Sequence, residues 1–264
     1  MLISDKIDMN ESDFKVVSYK RKKSQLRSKN IVNNNILSNE SYFNVDVSFK
    51  RIVDAKLEIT ATDLYDSLLA SLREGIESLK HPKISNIICL GLGKIGECLI
   101  ARYQLAAILS LSDLYNVKIS AYDPVFTEKD KELLSKFEVN VLSENLEGKF
   151  HLSGHETVLF YLPHCPKQLT NNLLWANWGL NLAHCIIISN SFTNIIESNS
   201  SAHLVLNAYY ISKIQPYVLE LAIINSFKYY EIFNDTAIHV FPKLNYVCPD
   251  LWKDNPEPVY EIEA

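Results

Sequence analysis

The chain has few of the residues that mark several protein classes. Only seven of its 264 residues are glycine and nine are proline, so it is neither collagen-like nor of low complexity. Its five cysteines, Cys89, Cys98, Cys165, Cys185 and Cys248, are scattered and form no CxxC pair. An odd, dispersed set supplies neither a disulfide framework nor a structural zinc site, and free thiols in a reducing compartment are expected. No apolar run reaches the ~18–20 residues needed to span a bilayer. The start, Met1-Leu2-Ile3-Ser4-Asp5, lacks the basic n-region and apolar core of a secretory signal. These absences point to a cytoplasmic protein with no membrane partner. GxSxG, HExxH, P-loop and paired-carboxylate motifs are missing too, so hydrolase, metalloprotease and nucleoside-triphosphatase readings have no support.

What remains is ordinary for a globular protein. Hydrophobic residues make up 47% of the chain, enough for one large α/β domain with tails or, as the second choice, two domains. Charge is uneven. Lys15, Lys20, Arg21, Lys22, Lys23, Arg27 and Lys29 fall in a stretch with no acid, and without them the net charge of −5 becomes −12. An acidic body does not suggest a nucleic-acid groove. Residues 1–44 read as a flexible basic tail, in which Tyr19–Lys23 is either a solvated charge run, a nuclear-import signal or a nucleic-acid contact. Residues 250–264 read as an acidic, proline-containing tail.

The body between, 45–249, is organised around residues 84–126. Ile84–Leu90 has strand character, and Gly91-Leu92-Gly93-Lys94-Ile95-Gly96 follows it. A helical pattern runs from Glu97 to Leu114, and Val117–Tyr122 restores strand character before Asp123. This is a GxGxxG fingerprint after a strand and opening a helix, where amide N–H groups at the helix start face an anionic or polar ligand. Upstream, Phe49–Leu79 carries a helical stripe of Leu64, Leu68, Leu69, Leu72 and Ile76, with Thr62 or Asp63 as its cap. Downstream come a helix at Glu128–Phe137 and strands at Val139–Leu142, Thr157–Leu162, Cys185–Ile188 and Thr236–Phe241. A helix over Gln168–Trp178 and a mainly helical Leu204–Tyr230 complete the pattern. Alternation of this kind predicts a Rossmann-like, doubly wound, mostly parallel α/β sheet with an N-terminal helical extension.

Seven segments resemble, in order, the "sensitivity to red light reduced" (SRR-like) domain family. They are Gly91-Leu92-Gly93, Gln104-Leu105-Ala106, Tyr122-Asp123-Pro124-Val125-Phe126, Pro163-His164-Cys165, Ala176-Asn177-Trp178, Asn190-Ser191-Phe192 and Asn234–Pro242. The resemblance covers roughly residues 50–245. One departure is Leu162 before Pro163, where the family more often has Met, a swap that keeps apolar bulk. The resemblance implies a cytoplasmic and nuclear regulatory protein working through protein partners. It links the family to circadian-clock input and light signalling in plants, and elsewhere to microtubule- or proteasome-related phenotypes and haem metabolism. It brings no established catalytic mechanism, so catalytic residues are not carried over.

Ligands of open parallel sheets bind beyond the carboxyl ends of the strands. The residues at those exits are Gly91, Gly93 and Gly96, then Asp123, Asn145, His164 with Cys165, and Asn190. They form either one shared cofactor site or a set of ordinary loops. Asp123 suits a ribose diol, as in S-adenosylmethionine or NAD(P) sites, or else it caps the turn into Pro124. His164 and Cys165 read as a structural turn, as ligand contacts or as a base and thiolate. Cys165-Pro166 and Cys248-Pro249 are the Cys-Pro pairs of a haem-regulatory reading, with Cys165 or Cys248 as the thiolate ligand. His239, inside an apolar strand, reads as a hydrogen-bonded core histidine. Two functions follow: an SRR-like regulatory protein sensing a small ligand, or an enzyme using S-adenosylmethionine or a nicotinamide dinucleotide in that pocket.

Overall fold

The computed structural model describes residues 44–260; the basic stretch 15–29 lies outside them. Seven strands form one sheet in the order β3-β2-β1-β4-β5-β7-β6. They are β1 (Ile84–Leu90), β2 (Lys118–Tyr122), β3 (Asn140–Val141), β4 (Thr157–Leu162), β5 (Cys185–Asn190), β6 (Leu219–Ala222) and β7 (Thr236–Val240). The first five are mutually parallel, and β7 runs antiparallel to both β5 and β6. The mostly parallel α/β sheet expected from the sequence is present.

Two helices precede the sheet where the periodicity suggested one. Helix α1 (Val45–Ile59) stops where the Thr60 hydroxyl donates back to the Lys56 carbonyl at 2.8 Å. Helix α2 (Asp63–Ser78) starts at the cap Thr62, whose hydroxyl accepts the Tyr65 N–H at 3.3 Å. Leu64, Leu68 and Leu72 of the predicted stripe are buried. Helix α3 (Leu99–Tyr115) begins two residues later than expected, because Ile95–Glu97 first make a turn. Next comes α4 (Glu128–Ser135), opened by a Thr127–Asp130 capping box.

After β4 come α5 (Lys167–Ala176), α6 (Phe192–Glu197), α7 (Ser201–Asn207) and α8 (Tyr209–Ile214). The mainly helical reading of Leu204–Tyr230 therefore holds only to Ile214, since Leu219–Ala222 is the edge strand β6. A four-residue strand is too short to show a period, and its Glu220 mimics a helix position.

Every residue of β4 is buried, the mark of a strand covered on both faces. Alternate side chains divide the core. Ile87, Cys89, Leu159, Tyr161, Ile186 and Ile188 join the cluster that holds α1–α4. Val158, Phe160, Leu162 and Ile187 join the one that holds α5–α8.

The segment after Asp250 is tied down as far as it is described. Trp178 Nε1 donates to the Leu251 carbonyl at 3.2 Å, and Lys149 pairs with Glu257. The Tyr260 hydroxyl donates to Asn172 Oδ1 at 2.8 Å and accepts from Asn171 Nδ2 at 3.0 Å. Among the described residues no helix is long and apolar enough to cross a membrane.

Candidate functional site at the carboxyl edge of the sheet

The chain leaves β1 through Gly91 and Gly93, both with positive φ (+72° and +73°), a conformation that favours glycine. Each glycine has its own further constraint. A Cβ on Gly91 would lie 2.3 Å from Cys165 Sγ, so the bare backbone there makes room for the loop after β4. A Cβ on Gly93 would meet nothing within 4 Å, so this glycine borders open space.

Two carboxylates hold the loop. Asp123, at the exit of β2, accepts the Gly93 N–H on Oδ2 at 2.7 Å and the Val125 N–H on Oδ1 at 2.9 Å. It thus caps its own turn, as one reading expected, and ties that turn to the glycine loop. Asp130, buried on α4, accepts the Gly96 N–H at 3.3 Å, while the Gly96 carbonyl accepts the Ser48 hydroxyl at 3.3 Å. Gly96 is therefore an anchor to α1 and α4, buried away from the opening. Since α3 starts only at Leu99, the expected cradle of free helix-start amides is not formed at Gly93 and Gly96.

The other exits form one hydrogen-bonded network. Asn190, ending β5, accepts the His164 N–H on Oδ1 at 2.8 Å and donates from Nδ2 to the Cys165 carbonyl at 3.1 Å. His164 has φ +59° and its Nε2 lies 3.0 Å from the Asn234 carbonyl. The Ser191 N–H donates to the Asp235 carbonyl at 2.8 Å, and Asn194 Nδ2 donates to the Asp235 carboxylate. Asp235 also has positive φ. From below, buried Gln104 of α3 donates to the Ile232 carbonyl at 3.1 Å and accepts the Tyr161 hydroxyl on its own carbonyl at 3.0 Å.

The structure thus joins Gly91, Gly93, Asp123, His164, Cys165 and Asn190. Asn145 instead turns locally, its Oδ1 accepting the Glu147 N–H at 3.0 Å. Sequence reasoning missed Asn234, Asp235, Asn194 and Glu220, since only the antiparallel return of β7 brings its start beside the end of β5. A groove of about 530 Å³ opens there, lined by Ser191, Glu220, Asn225, Tyr230, Asn234 and Asp235 among others, with carboxylates and no basic side chain.

Neither the Cys165 sulfur nor the His239 imidazole is poised for attack. Cys165 is buried and its thiol donates to the Leu90 carbonyl at 3.3 Å. Burial, and then the charge of Asp123, push its pKa up to about 12, so it is a thiol at neutral pH. Cys248 is exposed, its thiol 3.9 Å from the Asp250 carboxylate. His239 is fully buried and stacked on Phe192, with Nδ1 3.2 Å from the Ile187 carbonyl and Nε2 accepting the Phe192 N–H at 3.4 Å. Burial lowers its pKa to about 4, against the opposing pull of Glu220, whose carboxylate lies 3.7 Å from Nε2. No group of three or more His, Cys, Asp or Glu side chains is set to hold a metal ion among the described residues.

Fold and loop together define a Rossmann-type α/β protein in which the exits of β1, β2, β4 and β5 are tied together by hydrogen bonds. The sequence model of the SRR1 domain matches residues 56–240, and the chain belongs to the SRR1 domain family. An SRR1-like protein of Drosophila melanogaster is 29% identical over 242 residues, covering 88% of this chain and 83% of its own. One of Mus musculus is 42% identical over 131 residues, 48% of this chain and 52% of its own. Protein SENSITIVITY TO RED LIGHT REDUCED 1 of Arabidopsis thaliana is 29% identical over 185 residues, 63% and 66% of the two chains. Among solved structures, a mutant of MtNAS in complex with S-adenosylmethionine superposes with a TM-score of 0.38 at 13% identity, over 75% and 74% of the chains.

Two predictions follow from this geometry. Gly91→Ala should cost about 2–4 kcal/mol through strain and overlap with Cys165, against about 1–2 kcal/mol of strain alone for Gly93→Ala. In a denaturation double-mutant cycle, Cys165→Ala should recover at least ~1 kcal/mol of the Gly91→Ala loss; additivity within about 0.5 kcal/mol would refute the contact. For His239 the folded pKa lies below that of the unfolded chain. The unfolded state therefore takes up the proton first, and stability present above about pH 6.5 is lost as pH falls toward 4. Thermal unfolding at pH 7 and pH 5 should show a smaller drop for His239→Gln than for the wild type; equal drops would contradict the buried neutral imidazole.

Proposed function

We propose that this SRR1 family member is a regulatory protein that binds a small, donor-rich ligand at the carboxyl edge and passes its occupancy to protein partners. The observation that carries this reading is the Asp123–Gly93 bond. Asp123 and Asp130 already accept the N–H groups of Gly93 and Gly96, so a pyrophosphate laid on the loop would meet two carboxylates in place of free amide donors. A ligand with hydroxyl and amino donors finds acceptors there, and Gly93 leaves its backbone open to it. Of the cofactors the sequence suggested, S-adenosylmethionine fits this chemistry better than NAD(P). Asp123 would orient a ribose diol, and the acidic groove beside Asn234 and Asp235 suits a cationic end. S-adenosylmethionine supplies an activated methyl group when bound, whereas the chain's contribution is to bind and orient it.

Haem is supported less. Cys165 is protonated and shielded behind Gly91, which leaves exposed Cys248 as the haem-ligand candidate. Signalling of the clock-input kind, in cytoplasm and nucleus, is the setting we propose, the basic run Tyr19–Lys23 acting as the import signal.

The test is thermal unfolding of the full chain with S-adenosylmethionine, S-adenosylhomocysteine, NAD(H), NADP(H) and haemin. A ligand at about 100 times its Kd stabilises the folded state by about 2.7 kcal/mol. The expected result is a shift with the two S-adenosyl compounds that a folded Gly93→Ala variant loses. A shift with NADP(H) alone, or none in a cooperatively unfolding sample, would overturn this reading.

A further inference from the structure

The opposite, amino edge of the sheet holds a second cavity, of about 290 Å³, with the reverse chemistry. It lies between the loop before β1, the first residue of β4, the 3-10 turn Leu180–His184 before β5, and the chain leaving β7. No carboxylate lines it. Lys80 does, from a backbone held at φ +66°, and it makes no ion pair among the described residues. His184 lines it as well, its ring edge-on to His155 at 5.6 Å.

Thr157 adds the observation that points to a ligand. The residue is only 2% exposed, lines the cavity, and its hydroxyl has no hydrogen-bond partner among the described residues. A hydroxyl in a cavity wall that no protein group engages is a donor open to a bound acceptor. The remaining wall is apolar: Phe241 and Leu244 are buried, and Leu180 stands 63% exposed at the rim. A large exposed apolar side chain beside a cation and a free hydroxyl is the pattern of a pocket that fixes a polar head and covers an apolar body.

We propose that this amino-edge cavity binds a small amphipathic monocarboxylate. The carboxylate accepts from Lys80 and the Thr157 hydroxyl, with His184 as a further donor, and the hydrocarbon lies against Leu180, Phe241 and Leu244. One cation suits a single negative charge, and the apolar wall has nothing to offer a bare inorganic anion. The site is independent of the carboxyl-edge reading and stands or falls without it.

The test is titration calorimetry of the full chain with octanoate, using octanol and inorganic phosphate as probes of the tail and the charge alone. Lys80→Asn keeps a residue that tolerates positive φ, and Thr157→Val keeps the shape while removing the hydroxyl. Saturable octanoate binding is expected, at least about tenfold weaker in each variant and unchanged in Gly93→Ala, with octanol and phosphate both at least about tenfold weaker than octanoate. No saturation below about 10 mM, the lower end of useful affinity, would overturn the proposal. So would either variant binding as tightly as the wild type, or octanol or phosphate matching octanoate.

Discussion

Asn190 uses both ends of its carboxamide on the loop after β4, accepting the His164 N–H and donating to the Cys165 carbonyl. The turn it holds cannot hold itself. His164 sits at positive φ, which costs a non-glycine residue about 1–3 kcal/mol unless its surroundings impose it. With that turn fixed, Cys165 packs behind Gly91 and the His164 ring reaches Asn234. The exits of β1, β4 and β5 and the start of β7 then share one set of bonds.

The two edges of the sheet have opposite characters. At the carboxyl edge Asp123, Asp130, Glu220 and Asp235 are all engaged, and the amides that commonly receive phosphate are already donating to two of them. At the amino edge a lysine and a hydroxyl stand without partners among the described residues, beside apolar walls. The glycine spacing alone does not separate a phosphate cradle from a carboxylate-held loop; the partners of Gly93 and Gly96 do.

Much of the fold is legible in the amino-acid sequence. The apolar runs Val158–Leu162 and Cys185–Ile188 announce doubly covered strands, and the glycine loop after β1 fixes which end carries the exits. The illegible parts have particular causes. Strand β6 is four residues long and carries Glu220, whose carboxylate turns in to accept the Thr193 N–H at 3.1 Å and to face His239. Helix α3 starts late because Gly96 is anchored by Asp130, thirty-four positions away. Asn234 and Asp235 join the site only through the antiparallel return of β7, a tertiary fact that no local spacing encodes.

The account rests on the strand exits behaving as one unit, and amide hydrogen exchange on the full chain with and without Asn190→Ala tests this most directly. If they do, the amides of Gly91, Gly93, His164 and Ser191 lose protection together, by about tenfold or more, while the interiors of β1 and β4 stay protected. Faster exchange confined to His164 and Cys165 would contradict it, leaving separate loops at the edge of a sheet.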